Sequence, residues 1–140
     1  MSAAIVAAAR SAIGTRFRLH GRDPAFGLDC VGLVAVALRA GGATAIVPDG
    51  YALRSGDADA VAAMIVAAGL APATEPEAGD VLLCRAGPGQ LHLGIDGGLG
   101  SDHLSGSIIH ADAQLRRVVE RPGPPPWPVI GRWRLATAKE

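Results

Sequence analysis

The chain has 140 residues, with thirteen Lys and Arg against thirteen Asp and Glu, and 49% of its residues are hydrophobic. That length supports a single domain, residues 1–140, burying roughly 68% of its unfolded surface, and is short for two. The balanced charge excludes a global field that attracts nucleic acid or an anionic membrane, and two cysteines, Cys30 and Cys84, are too few for a disulfide framework.

The apolar stretch from Ala3 to Ala9 has no basic residue ahead of it and ends at Arg10, so it fits neither a signal peptide nor a membrane span. The expectation is a chain synthesised as a cytoplasmic protein with no membrane span. Ile5, Val6, Ala9 and Ile13 recur at helical spacing and predict a first helix over Ala3 to Ile13, stopped by Gly14. Thr15 to Leu28 keeps no period and reads as a loop punctuated by Gly21, Pro24 and Gly27. Asp29 is a suitable N-cap for a second helix that ends at Gly41-Gly42. Ala43 to Ser55 is irregular, with a turn at Pro48-Asp49-Gly50, and Asp57 to Ala68 predicts a third helix closed by Gly69.

Beyond Gly69 the period changes. Val81 to Cys84, Leu91 to Ile95, Ser107 to His110, Arg117 to Glu120 and Val129 to Leu135 are short apolar or alternating runs separated by Gly, Pro and Asp. They predict an antiparallel sheet of about five strands. Helices first and strands afterwards is an α+β layout. Pro122 to Pro128 reads as a rigid polyproline connection into the last strand, in preference to an SH3-type ligand.

Cys30 is the candidate nucleophile. A thiol in the first turn of a helix faces unpaired N–H groups and the positive end of the helix dipole, and both favour the thiolate. Cys84, inside an apolar strand, reads as core. His92 and His110 each interrupt an apolar run, which makes them a general base and the group that orients it, with Asp112 the rival orienter. Asp102 and His103 sit in a Gly-rich loop and read as solvated. The two thiols and two imidazoles lack the paired spacing of a zinc site, so no metal or cofactor is expected. Arg18, His20 and Arg22 form a basic patch that could meet a substrate carboxylate.

The runs Gly14 to Gly21, Leu28 to Val34, Gly79 to Leu83, His92 to Ile95 and Ile109 to Ala111 together resemble the NlpC/P60 family of papain-like cell-wall peptidases, in the family's order from about Ala9 to about Ala111. The resemblance implies N-terminal helices packed on an antiparallel sheet, with the catalytic roles on Cys30, His92 and His110 and the substrate groove at Asp29, Phe17, Arg18 and His20. It implies hydrolysis of peptidoglycan stem peptides, often between γ-D-glutamate and a diamino acid. Phe17 stands where many members have a Tyr hydroxyl near the oxyanion, and Val31 where many have a Ser that meets a free N-terminal alanine. The short form, the Arg18 to Gly21 loop and the Pro-rich end look like variants from phage tails and gene transfer agents, which implies tail-protein partners and action in the periplasm. A wall-binding or structural tail component with little turnover, and a thiol acyltransferase or amidase on the same scaffold, are the alternatives.

Overall fold

The computed structural model describes residues 2–44, 57–99 and 106–136. The expected turn at Pro48-Asp49-Gly50 and the loop residues Asp102 and His103 lie outside them. Helix α1 spans Ser2–Ser11, α2 Cys30–Ala40 and α3 Ala58–Ala67. Each follows its sequence signal to within about two residues, the usual slack at helix ends. Asp29 caps α2 by accepting the Gly32 amide at 2.8 Å, and Asp57 caps α3 by accepting the Ala60 amide at 3.0 Å.

The strands are β1 (Arg22–Asp23), β2 (Gly27–Leu28), β3 (Leu70–Pro72), β4 (Val81–Gly87), β5 (Gln90–Asp96), β6 (Ser107–Asp112), β7 (Arg117–Pro122) and β8 (Val129–Leu135). Strands β3 to β8 form one six-stranded antiparallel sheet in the order β3-β8-β4-β5-β6-β7. The expected runs are β4 to β8. Strand β3 and the β1–β2 hairpin were not expected, because two or three residues cannot display an alternating period. The hairpin makes the segment before α2 more ordered than the expected loop.

Helices α1 and α2 cover one face of the sheet. Ile5, Ala9, Leu33 and Ala37 join Leu83, Leu93, Ile95 and Ile109 in one buried cluster. Full burial of the Leu and Ile side chains among them stabilises by ~1.5–3 kcal/mol each. The other face carries a smaller cluster of Leu82, Cys84 and Ile108, with Trp127 packed on it. This division follows from strand alternation, which sends odd-numbered residues of β5 to the helices and even-numbered ones away.

Two departures from a regular sheet shape the site. Strands β5 and β6 pair only at Ile95↔Ile109 and Asp96↔Ile108, whereas β4–β5 and β6–β7 pair along most of their length. The sheet therefore splits beyond Ile95, toward Leu93 and His92 on one side and His110 on the other. The second departure is the path of the chain from β7 to β8, which must pass β6, β5 and β4 to reach its place in the sheet. The Pro-rich segment is thus a strap that crosses three strands, bent at Gly123, Pro124, Pro126 and Trp127.

Candidate active site

Cys30 opens α2 beside the split. Its side chain is buried, and it packs in the helix-side core. The loop before it lies directly on the first turn of α2, and Gly32 permits this: a Cβ there would collide with the Gly21 carbonyl. Where β6 has parted from β5, the backbone of Leu93, with those of Val31 and Cys30 itself, favours the charged form of the Cys30 thiol.

His92 projects from β5 between the core-facing Leu91 and Leu93, and His110 from β6 does the same between Ile109 and Ala111. Their rings bridge the split, with His92 Nε2 and His110 Nδ1 2.9 Å apart. When His92 donates in this bond, its Nδ1 carries a lone pair, which is the state a base requires. Asp112, the rival orienter, instead spends one carboxylate oxygen on the Gln114 and Leu115 amides and caps the β6–β7 turn.

Cys30, His92 and His110 line one groove of about 510 Å³, together with Phe17, His20 and Asp29. Arg18 is exposed and does not line it, so the expected substrate residues are brought together except for that one. Asp29 is saturated: its oxygens accept from the Arg22 guanidinium at 2.9 Å, the His20 amide at 2.8 Å and the Gly32 amide. His20 itself sits at φ +62°, an uncommon conformation for a residue with a Cβ. Cys84 pairs with His92 across β4 and β5 but packs with Leu82 and Ile108, as a core residue does. Among the described residues, no cluster of three or more His, Cys, Asp or Glu has the geometry to hold a metal ion.

The electrostatics differ from the sequence expectation. Burial pushes the Cys30 thiol up to about 12, Asp29 adds to the rise, and the Leu93, Val31 and Cys30 backbone groups oppose it. Burial and then the neighbouring His110 push His92 down to about 4, against a smaller upward pull from Asp112. His110 is lowered too, by burial and by Arg121, with Asp112 opposing. The helix dipole was expected to favour a thiolate. Desolvation outweighs it here and favours the neutral thiol and the neutral imidazoles. No hydrogen bond joins Cys30 to either histidine among the described residues.

Trp127 was not singled out in the sequence, where it reads as part of a proline connection. It packs edge-on against both imidazoles, with ring centroids 4.9 Å from His92 and 5.1 Å from His110. The strand order that carries the strap across the outer face is what brings it there, and no local pattern encodes that order.

The helix-mounted cysteine, split antiparallel sheet and paired histidines sit on an α+β architecture that is the NlpC/P60 fold. The NlpC/P60 domain of the peptidoglycan hydrolase SagA is 28% identical, with a TM-score of 0.56 over 86% of this chain and 87% of that one. The peptidoglycan hydrolase RipB from Mycobacterium tuberculosis is 23% identical, with a TM-score of 0.60; 97% of this chain matches 65% of it. The P60 domain of an antigen from M. avium subspecies paratuberculosis is 20% identical, with a TM-score of 0.58 over 96% of this chain and 93% of that one. No family model matches the sequence, and neither does any curated protein.

Proposed function

We propose that this chain is a cysteine peptidase that cuts peptidoglycan stem peptides, with Cys30 as nucleophile, His92 as general base and acid, and His110 as the group that orients His92. The observation that carries this reading is the 2.9 Å bond between His92 Nε2 and His110 Nδ1, formed across the split that also admits Cys30. The likeness to domains named as peptidoglycan hydrolases supports the substrate class.

In the proposed reaction the Cys30 S–H bond breaks as its proton moves to His92 Nδ1 and the sulfur bonds to the carbonyl carbon of a stem-peptide amide. The resulting oxyanion meets backbone N–H groups at the start of α2, each such donor contributing ~2.7–4 kcal/mol. Phe17 adds no donor. The imidazolium then returns its proton to the leaving amine as the C–N bond breaks, and a thioester remains. Water, deprotonated by His92, attacks the thioester and releases a carboxylate and the thiol.

The proposed bond lies between γ-D-glutamate and the diamino acid, and the proposed setting is a phage tail or gene transfer agent that opens the wall locally. The first rests on the resemblance of the Cys30, His92 and His110 motifs and the second on that of the 18–21 loop and the Pro-rich end. Digestion of purified sacculi tests the chemistry: wild type releases new diamino-acid amines seen by mass spectrometry, and Cys30→Ala reduces the rate by at least ~10³-fold. Equal release by both proteins would remove Cys30 from the reaction. The buried, high-pKa thiol and the missing phenol at Phe17 favour one rival, a wall-binding component with little turnover. That reading requires wild type to sediment with sacculi while releasing no amine.

A further inference from the structure

We propose that Trp127 is a positioning residue, held by the proline strap over the outer face of the sheet so that it fixes the His92 and His110 rings and keeps water from their shared hydrogen bond. This rests on the catalytic reading of that histidine pair. The geometry is a three-ring cluster in which every pair meets edge to face: 70° between His92 and Trp127, 86° between His110 and Trp127, and 89° between the two imidazoles. Rings in such contact resist rotation, because turning either imidazole drives its edge into the indole.

The strap is built to hold that ring still. Its N-terminal end is tied by the Gly123 amide to the Gly106 carbonyl at 2.8 Å, and its C-terminal end by the Arg85 amide to the Pro128 carbonyl at 2.9 Å. Between those two ties, Pro124, Pro125, Pro126 and Pro128 leave few conformations to lose on folding. The indole N–H makes no hydrogen bond among the described residues, so the ring acts through its faces and edges. Beyond the split, the β5–β6 ladder supplies no backbone bond to fix the spacing of His92 and His110. The outer ring supplies that constraint.

A purely structural role, capping Leu82, Cys84 and Ile108, predicts lost stability and nothing more. The positioning role predicts a change in how His92 titrates. The charged or titratable groups acting on the pair are each other, Asp112 on β6 and Arg121 on β7, with Cys30 of α2 across the groove and Cys84 opposite on β4; the strap contributes only the neutral indole.

The experiment is a pH titration of the histidine side chains by NMR in the full chain, with steady-state kinetics on muropeptides beside it. For Trp127→Ala, the His92 midpoint is expected to rise by about one pH unit or more as water reaches the ring. In the same variant, kcat falls about tenfold with KM little changed. Trp127→Phe retains most of both, because it keeps an aromatic edge. Pro125→Gly, which loosens the strap and leaves the indole in place, shifts the midpoint in the same direction by less. A folded Trp127→Ala protein with the wild-type titration overturns the proposal. Should that variant fail to fold, an unchanged midpoint in Pro125→Gly overturns it instead. The titration needs no turnover, so a chain that never cleaves a muropeptide defeats the peptidase reading while the shift still reads positioning.

Discussion

The two ends of the β4–β5 hairpin both bury polar side chains and treat them in opposite ways. Where β4 begins, the fully buried Asp80 carboxylate is met by Arg132 at 2.7 Å, by Arg134 at 2.7 Å and by the Glu77 amide. Both carboxylate oxygens there have donors, and Arg132 continues to Asp96 at 2.8 Å, which ties β8, β4 and β5 together. Toward the other end, Cys30 and His110 are buried and His92 half-buried without a full counter-charge, which favours their neutral forms. A saturated ion network has no cheap alternative state and serves as a clamp. A neutral thiol and imidazole can exchange one proton, so they are poised for chemistry. A cavity of about 780 Å³ also opens beside the clamp, yet it is lined by no cysteine or histidine, and its Asp80 and Arg134 are already paired.

The sharpest way to break this contrast is Asp80→Asn. It removes the buried carboxylate that both guanidiniums share, leaving Arg132 with Asp96 and Arg134 with Glu77, and breaking a buried pair costs ~3–5 kcal/mol. The expected result is a large drop in the urea midpoint, with sacculus digestion per folded molecule little changed. At the other end, His110→Ala should do the reverse, lowering kcat by about 10²-fold through loss of the oriented His92 tautomer while the urea midpoint moves far less. His110→Asn, which can still accept from His92 Nε2, should recover part of that rate.

Proton linkage separates the two ends further. His92 is depressed from 6.5 to about 4, so the unfolded chain binds a proton that the folded chain refuses between those values. Stability from this group is complete above about pH 6.5 and declines as the pH falls toward 4. His92→Asn should flatten that acid limb in thermal unfolding, whereas Arg10→Ala should leave its upper part, from pH 6.5 to about 4.5, unaltered, because Glu120, which Arg10 holds below 4.5, titrates beneath that range. Cys30 is raised from 9.0 to about 12, so its contribution is complete below pH 9 and declines above it. The smallest effect expected is kinetic. Iodoacetamide at about pH 8 should alkylate Cys30 more slowly than a free thiol of ordinary pKa, and the rate should rise only at higher pH. Rapid alkylation at neutral pH would show that a thiolate, and not a thiol, is the resting state.

Much of this molecule was legible along the chain because the signals are local. The helix over Ser2–Ser11 follows from the spacing of Ile5, Val6 and Ala9, and α2 and α3 start where Asp29 and Asp57 cap them. The five longer strands stand out by alternation, and the same alternation put His92 on the face opposite Leu91 and Leu93. The choice of Cys30, His92 and His110 also came from local settings, a helix start and two interrupted apolar runs. Strand β3 and the β1–β2 hairpin escaped because their two or three residues acquire order only from partners distant in sequence.

What the linear order of residues determined, then, is each element and the chemical type of each candidate group, since both depend on neighbours within a few positions. Only the tertiary structure decided the rest. The placement of β8 beside β4 sends the strap across the sheet and lays Trp127 on the histidines. The parting of β5 from β6 opens the site beside Cys30, and burial there outweighs the effect expected from a helix dipole. These are properties of contacts between residues far apart in the chain, and desolvation, the largest influence on both Cys30 and His92, has no value until the fold has removed the water.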